Sequence, residues 1–202
     1  MYNEIVIGID QSYQNTGISI VADGRLKDIR SIRLDKYKNN SQKRGVLHTK
    51  LQHLMSDVTN KSNSIVCIVE RARLHGGPTS FVNIDAIKAM GALTATIVDV
   101  MDQYGVKVYS VDTRCWKSQV IGTSKPQSNN YGVPEEKWPT IRWCIRQGFE
   151  QKLLVDVSAT RKQKGTFVRA GKKYQYNNDA ADSAGIAMYW VLGDHNKLQL
   201  EK

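Results

Sequence analysis

A chain of 202 residues with 41% hydrophobic content is long enough to bury a core as one domain, which excludes a disordered polymer. The formal net charge of +10, with a pI near 9.5, favours a polyanionic partner, because Lys and Arg neutralise phosphates and release counterions; nucleic acid leads, though this balance alone also fits a ribosomal protein or an anionic membrane surface. Cys67, Cys115 and Cys144 are scattered, without Cys-x-x-Cys spacing or clustered histidines, so neither a disulfide framework nor a zinc site is signalled.

The opening MYNEIVIGID lacks a basic leader before a long apolar stretch, and no apolar run approaches membrane-spanning length, so a soluble, cytoplasmic protein with no membrane partner is expected. Residues 4–10 read as a buried strand and 17–22 (GISIVA) as its hairpin partner across the polar turn QSYQNT, with Asp23-Gly24 as a second hairpin signal. A third strand is predicted over 30–34. After the polar stretch KYKNNSQKRG, Val46, Leu47, Leu51, Leu54, Met55 and Val58 recur at helical spacing. SIVCIV at 64–69 reads as a central strand buried on both faces.

A long helix is predicted from a cap near Thr79 or Ser80 to about Tyr104, closed by Gly105. Its apolar residues cover more of the circumference than one sheet face needs, which leaves part of it for a second subunit. A strand over 106–111, a helix including 141–145 and a last helix over 180–192 complete the pattern. The fold class expected is α/β, a mixed five-stranded sheet with helices on both faces, in a single domain spanning 1–202.

Four carboxylates carry the chemistry. Asp10 and Glu70 end their strands, where functional side chains gather in β/α sheets. Asp179 and Asp182, three residues apart, share one helical face, and the small residues Ala180, Ala181, Ser183, Ala184 and Gly185 would let that helix lie close to the sheet. Four converging acids repel unless cations neutralise them. Oxygen ligands without His or Cys select Mg²⁺ or Mn²⁺, and two such ions about 4 Å apart can activate water and stabilise the leaving oxygen of a phosphodiester. Each acid also has a plainer reading: Asp10 as a turn former, Glu70 in a salt bridge with Arg71 or Arg73, and Asp179 as an N-cap with Asp182 inside a capping pattern.

IGIDQSYQNTGISIV resembles the first strand and hairpin of the RuvC family of Holliday-junction resolvases, with its G-I-D, short turn and T-G. IVERAR resembles the family's second acidic strand, DAADSAGIA its final acidic helix, and VYSVDTRCWKSQVIGTS its stretch of strand, Arg, Lys and V-x-G-x-G. The resemblance covers nearly the whole chain. It implies a ribonuclease H-like fold and a Mg²⁺-dependent homodimer that cuts two opposing strands of a four-way junction, with two ions per active site. Carried over by motif, the metal-site acids are Asp10, Glu70, Asp179 and Asp182, and the family's basic position falls on Lys117 with Arg114 beside it. A second active-site lysine falls on Lys137, by its helix-start context, or on Lys125, by its distance from Gly122; Lys137 is favoured. Lys117 and Lys137 are expected to offset charge on the non-bridging phosphate oxygens.

Two departures from the family pattern bear on DNA. An aromatic wedge three positions after the second acid is replaced by Arg73, which with Arg71 suits a phosphate or base-edge contact. A basic insertion at about 158–177 holds Arg161, Lys162, Lys164, Arg169, Lys172 and Lys173 around strand-like aromatic stretches, and is expected to form a DNA-binding hairpin or loop beside the active site. Such insertions resemble the divergent branch of the family in lactococcal-type bacteriophages. The stretch 25–50, with nine Lys or Arg against two Asp, reads as a second DNA contact or a solvated face. Trp116, Trp138, Trp143 and Trp190 read as core or dimer-interface residues, Trp138 being the most exposed candidate. The competing functions are an actin-like ATPase, for which the chain is too short, a nuclease on RNA–DNA hybrids, and a non-catalytic branched-DNA-binding protein.

Overall fold

The computed structural model describes residues 1–71, 84–123, 125–157 and 165–201. A continuous buried apolar run begins the fold: β1 (Ile5–Asp10) runs antiparallel to β2 (Asn15–Ala22), and β2 to β3 (Arg25–Arg33). Asp23 and Gly24, both at positive φ, make the tight turn between β2 and β3. The third strand is longer than 30–34 because its polar first half still pairs along β2. Helix α1 (Asn40–Thr59) starts inside the polar stretch predicted to precede it, where the Asn39 side chain accepts from the Gln42 amide.

Strand β4 (Ile65–Glu70) lies parallel to β1, and β5 (Lys107–Val111) parallel to β4, with α2 (Ile84–Asp102) as the crossover. The start proposed for this helix near Thr79 or Ser80 lies outside the described residues. Then follow α3 (Thr113–Trp116), a π-helical turn (Lys117–Ile121), α4 (Trp138–Arg146) and α5 (Glu150–Leu153). Next come β6 (Leu154–Asp156), β7 (Thr166–Arg169), β8 (Lys172–Tyr176) and α6 (Asn178–Leu192), and last a short 3-10 turn and β9 (Gln199–Leu200). The main sheet therefore has six strands rather than five, in the order β3-β2-β1-β4-β5-β9; the added edge is two residues long, too short to show periodicity. The basic insertion does contain the hairpin β7–β8, which gains β6 as a third strand to make a separate small sheet.

Strand alternation decides what each face holds. Ile5, Ile7 and Ile9 of β1, with Cys67 and Val69 of β4, face α1 and α2 in one buried cluster. Val6 and Ile68 face the other way, against Trp116 and the Ile186–Tyr189 part of α6. Asp10 and Glu70 continue these second series, so both carboxylates end on the α6 side. Helix α6 can sit there because Gly8 and Gly17 have no side chain: a Cβ on Gly8 would meet Ser183 O and Ala187, and one on Gly17 would meet the backbone of Asp179. A hydrogen bond of 2.7 Å from Ser19 Oγ to Ser183 O fixes the same contact.

Gly17→Ala is expected to displace α6, at an overpacking cost of roughly 2 kcal/mol. The melting temperature should then fall by about 4–8 °C for a chain of this size, measured by thermal unfolding with circular dichroism.

Candidate active site

The carboxyl ends of β1 and β4 and the first turns of α6 meet at one point. The N-cap of α6 is Asn177, whose Oδ1 accepts from the Ala180 amide at 3.1 Å; Asp179 is thereby released from the capping role and lies in the first turn. Asn15 Nδ2 donates to Asp179 Oδ2 at 2.9 Å and to Asn177 Oδ1 at 3.0 Å, tying the start of β2 to that turn. Asp182, one turn further on, is 2% exposed.

Glu70 is held from the side by residues that no local pattern marks. Thr113 Oγ1 donates to its Oε1 at 2.8 Å, and the indole N–H of the buried Trp116 to its Oε2 at 3.1 Å. The Trp116 ring lies against Gly185, where any Cβ would strike it. Gln11 Nε2 also donates to the Glu70 carbonyl at 2.6 Å, joining the ends of β1 and β4. Arg71 does not serve as a salt-bridge partner in this network: its Nε donates to Ser110 Oγ at 3.3 Å.

The electrostatics record how close the acids come. Burial, and then the charges of Asp182, Glu70 and Asp179, push the Asp10 carboxyl well above the ordinary aspartate range, and Lys137 opposes them. Asp179 is raised by burial, against the hydrogen bond from Asn15 and the charge of Lys137. Lys137 Nζ lies 2.6 Å from Asp182 Oδ2, with side chains 32% and 3% exposed. Burial alone would weaken its ammonium, but Asp182, Asp10 and Glu70 together hold it above the usual lysine range.

Among the described residues no group of three or more His, Cys, Asp or Glu is arranged to hold a metal ion as it stands. The Lys137 ammonium supplies the positive charge at this point. The residues nevertheless fit a divalent cation. Asp182 Oδ1 is buried and accepts no hydrogen bond among the described residues, the donors are all carboxylate oxygens, and Glu70 keeps lone pairs beyond the two that Thr113 and Trp116 engage.

The other predicted residues are placed as follows. Lys137 stands among the acids, whereas Lys125 is exposed on the surface. Lys117 donates to the Glu136 carbonyl at 3.3 Å and lies 5.2 Å over the Trp116 ring, on the rim of the site. Arg114, Arg169 and Lys172 are exposed, and Arg169 pairs with Glu150 at 3.0 Å. Lys173 is half-buried on β8. Arg73, Arg161, Lys162 and Lys164 lie outside the described residues. Trp138 is no free stacking platform, because its ring packs against Tyr131 at 5.0 Å and Tyr176 at 6.1 Å.

A raised aspartate contributes stability below its ordinary pKa and loses it as pH rises through the raised value. In chelator at pH 7.5, Asp10→Asn should therefore melt above the wild type, the gap closing as pH falls toward the carboxylate range and on adding Mg²⁺ to the wild type. Thr113→Val should weaken divalent-cation binding roughly 10- to 100-fold by freeing one Glu70 oxygen, read by calorimetric titration.

No protein-family model matches the sequence, and no curated protein sequence does. Among solved structures, the fold is similar to RuvC of Thermus thermophilus in complex with a Holliday junction substrate, at 13% identity and a TM-score of 0.59 over 98% of this chain and 100% of that one. A second Thermus thermophilus RuvC structure aligns at 14% identity and 0.58 over 98% and 99%. The yeast mitochondrial Holliday junction resolvase Ydc2 aligns at 15% and 0.50 over 92% and 76%. These neighbours lend no support to a bacteriophage branch. Their likeness is one of architecture: the chain has the mixed, helix-flanked sheet of the RuvC and ribonuclease H-like fold.

Proposed function

We propose that this protein is a divalent-metal-dependent endonuclease that cuts four-way DNA junctions and related branched DNA. The observation that carries the reading is the meeting of four carboxylates from β1, β4 and α6 around Asp10. The fold shared with a RuvC in complex with a Holliday junction substrate, and with a yeast Holliday junction resolvase, supports a junction as the substrate. The net charge of +10 supports a polyanion.

Mg²⁺ or Mn²⁺, held by Asp10, Glu70, Asp179 and Asp182, would supply a water of lowered pKa and charge neutralisation at the phosphodiester. The chain's own residues prepare that chemistry. Thr113 and Trp116 fix the Glu70 carboxylate, and Asn15 fixes Asp179, so that neither turns away to solvent. Lys137 keeps its proton and faces the acids, where its charge can pass from Asp182 to the oxygens of a bound phosphate. Lys117, on the rim beside the Glu136 carbonyl, is the second cation within reach of the strand.

Symmetric cutting needs two such sites, and a C₂ homodimer supplies them. Helix α2 supports one: Ile84 is 61% exposed, and no residue from Ile84 to Ala92 with a described side chain is buried by its own chain, unlike Leu93, Ile97, Val100 and Met101.

The test is a panel of matched four-way junction, fork, flap, duplex and RNA–DNA hybrid substrates in Mg²⁺. Symmetric nicks confined to branched DNA are expected, with Glu70→Gln binding junctions normally but cutting them at least 100-fold more slowly. Equal cutting of the hybrid, or unimpaired cutting by Glu70→Gln, would contradict the proposal.

A further inference from the structure

Lys137 reaches the acids from an uncommon place in its helix. It occupies the N-cap of α4, a position that a short Ser, Asp or Asn side chain usually fills, and makes no capping bond because its ammonium is turned to Asp182. The chain before it closes the helix start instead. The Pro134 carbonyl accepts from the Lys137 and Trp138 amides at 2.9 and 3.2 Å, and Pro139 has no amide to satisfy. Where the Lys137 backbone stands therefore depends on how the preceding loop is held.

That loop is held by the small sheet. Asn129 first closes it on itself: its Oδ1 accepts from the Tyr131 and Val133 amides at 3.0 and 3.1 Å, and its Nδ2 donates to the Val133 carbonyl at 2.8 Å. The Gly132 backbone then lies against Gly165, just before β7, so closely that a Cβ on Gly132 would stand 3.2 Å from Gly165 Cα. The Tyr131 ring lies 5.0 Å from Trp138, and meets Phe167 of β7 edge-on at 5.0 Å and Tyr176 of β8 edge-on at 5.6 Å; Phe167 stacks on Tyr176 at 4.9 Å. Trp138 adjoins Lys137, and Tyr176 directly precedes Asn177, the cap of the helix that carries Asp179 and Asp182. Both sides of the Lys137–Asp182 contact are thus tied to one aromatic cluster, in which Tyr131 touches the other three rings.

We propose that Tyr131 is a positioning residue for Lys137: by joining the loop to the small sheet and to the residue before α6, it holds the lysine where its ammonium faces the acids. A lysine side chain is long and rich in rotamers, so a charge that must pass from Asp182 to a phosphate needs a fixed backbone beneath it. The consequence for cutting rests on the nuclease reading above, whereas the placement of Lys137 can be tested without it. The small sheet thereby gains a part in the cleavage step that is separate from any contact its basic residues make with DNA.

The experiment uses the full-length protein. Tyr131 is 36% exposed, so Tyr131→Ala leaves little empty core, and Phe167→Leu loosens the same cluster from the other side should the first variant misfold. Single-turnover cutting of a four-way junction in Mg²⁺ should slow roughly 10- to 100-fold in Tyr131→Ala, with junction affinity unchanged, and Tyr131→Phe should cut as the wild type does. In a Lys137→Met background Tyr131→Ala should cost nothing further, because its effect passes through the lysine. In chelator and without DNA, acylation of individual lysines is read by mass spectrometry. A contact open on the order of 10% of the time or less should, once released, let Lys137 react about tenfold faster in Tyr131→Ala or Phe167→Leu, with Lys125 unchanged. Equal slowing in both backgrounds, a Tyr131→Phe protein as slow as Tyr131→Ala, or unchanged Lys137 acylation would overturn the positioning role. A wild type that cuts no junction would overturn the nuclease reading alone, and the acylation rates would still decide the role of Tyr131.

Discussion

The contact between α6 and the sheet over Gly8 and Gly17 is the constraint on which the site depends. Without a Cβ at either position the helix backbone comes down onto β1 and β2, as the approach of Ser183 and Asp179 to those glycines requires. That approach puts the first turns of α6 at the carboxyl ends of β1 and β4, where Asp10 and Glu70 already point. A larger residue at Gly17 would lift the turn that carries Asp179, and the acids would no longer share one volume. Gly185 makes the same allowance on the other side, admitting the Trp116 ring whose N–H reaches Glu70.

Close packing has an electrostatic cost, because it gathers like charges in a place that water reaches poorly. Asp182 is 2% exposed and Asp10 is surrounded by the other three acids. Carboxylates so placed must take up protons, pair with cations, or both. The chain uses Lys137 for part of this, at 2.6 Å from Asp182, and leaves Asp182 Oδ1 without a donor among the described residues. An arrangement this unfavourable by itself is understandable as preparation for a divalent cation, since oxygen-only donors and excess negative charge are what such ions need. The hydrogen bonds from Thr113, Trp116 and Asn15 keep the acids converged despite their repulsion.

Much of this was readable from local pattern. Continuous apolar, β-branched runs identified β1 and β4 as buried strands, and the position of an acid at the end of each run put both at the sheet's carboxyl edge. The spacing of Asp179 and Asp182, with small residues around them, announced a helix lying close to the sheet. What could not be read has a common physical cause, dependence on partners distant in the chain. Thr113 and Trp116 meet Glu70 across 43 and 46 residues, and Asn15 meets Asp179 across 164, so their roles exist only after folding. The choice between Lys125 and Lys137 was open for the same reason. Strands β6 and β9, at three and two residues, are defined by pairing rather than by their own pattern. The N-cap of α6 fell to Asn177 because its side chain reaches the Ala180 amide, which leaves Asp179 free to face the other acids.

The central claim is that these four carboxylates form one cation site. A crystal grown with Mn²⁺ and measured at a wavelength where manganese scatters anomalously tests it most directly. The account predicts anomalous density among Asp10, Glu70, Asp179 and Asp182, with Lys137 Nζ moved away from its 2.6 Å contact with Asp182. Saturating Mn²⁺ with no density there, and Lys137 still paired to Asp182, would contradict it.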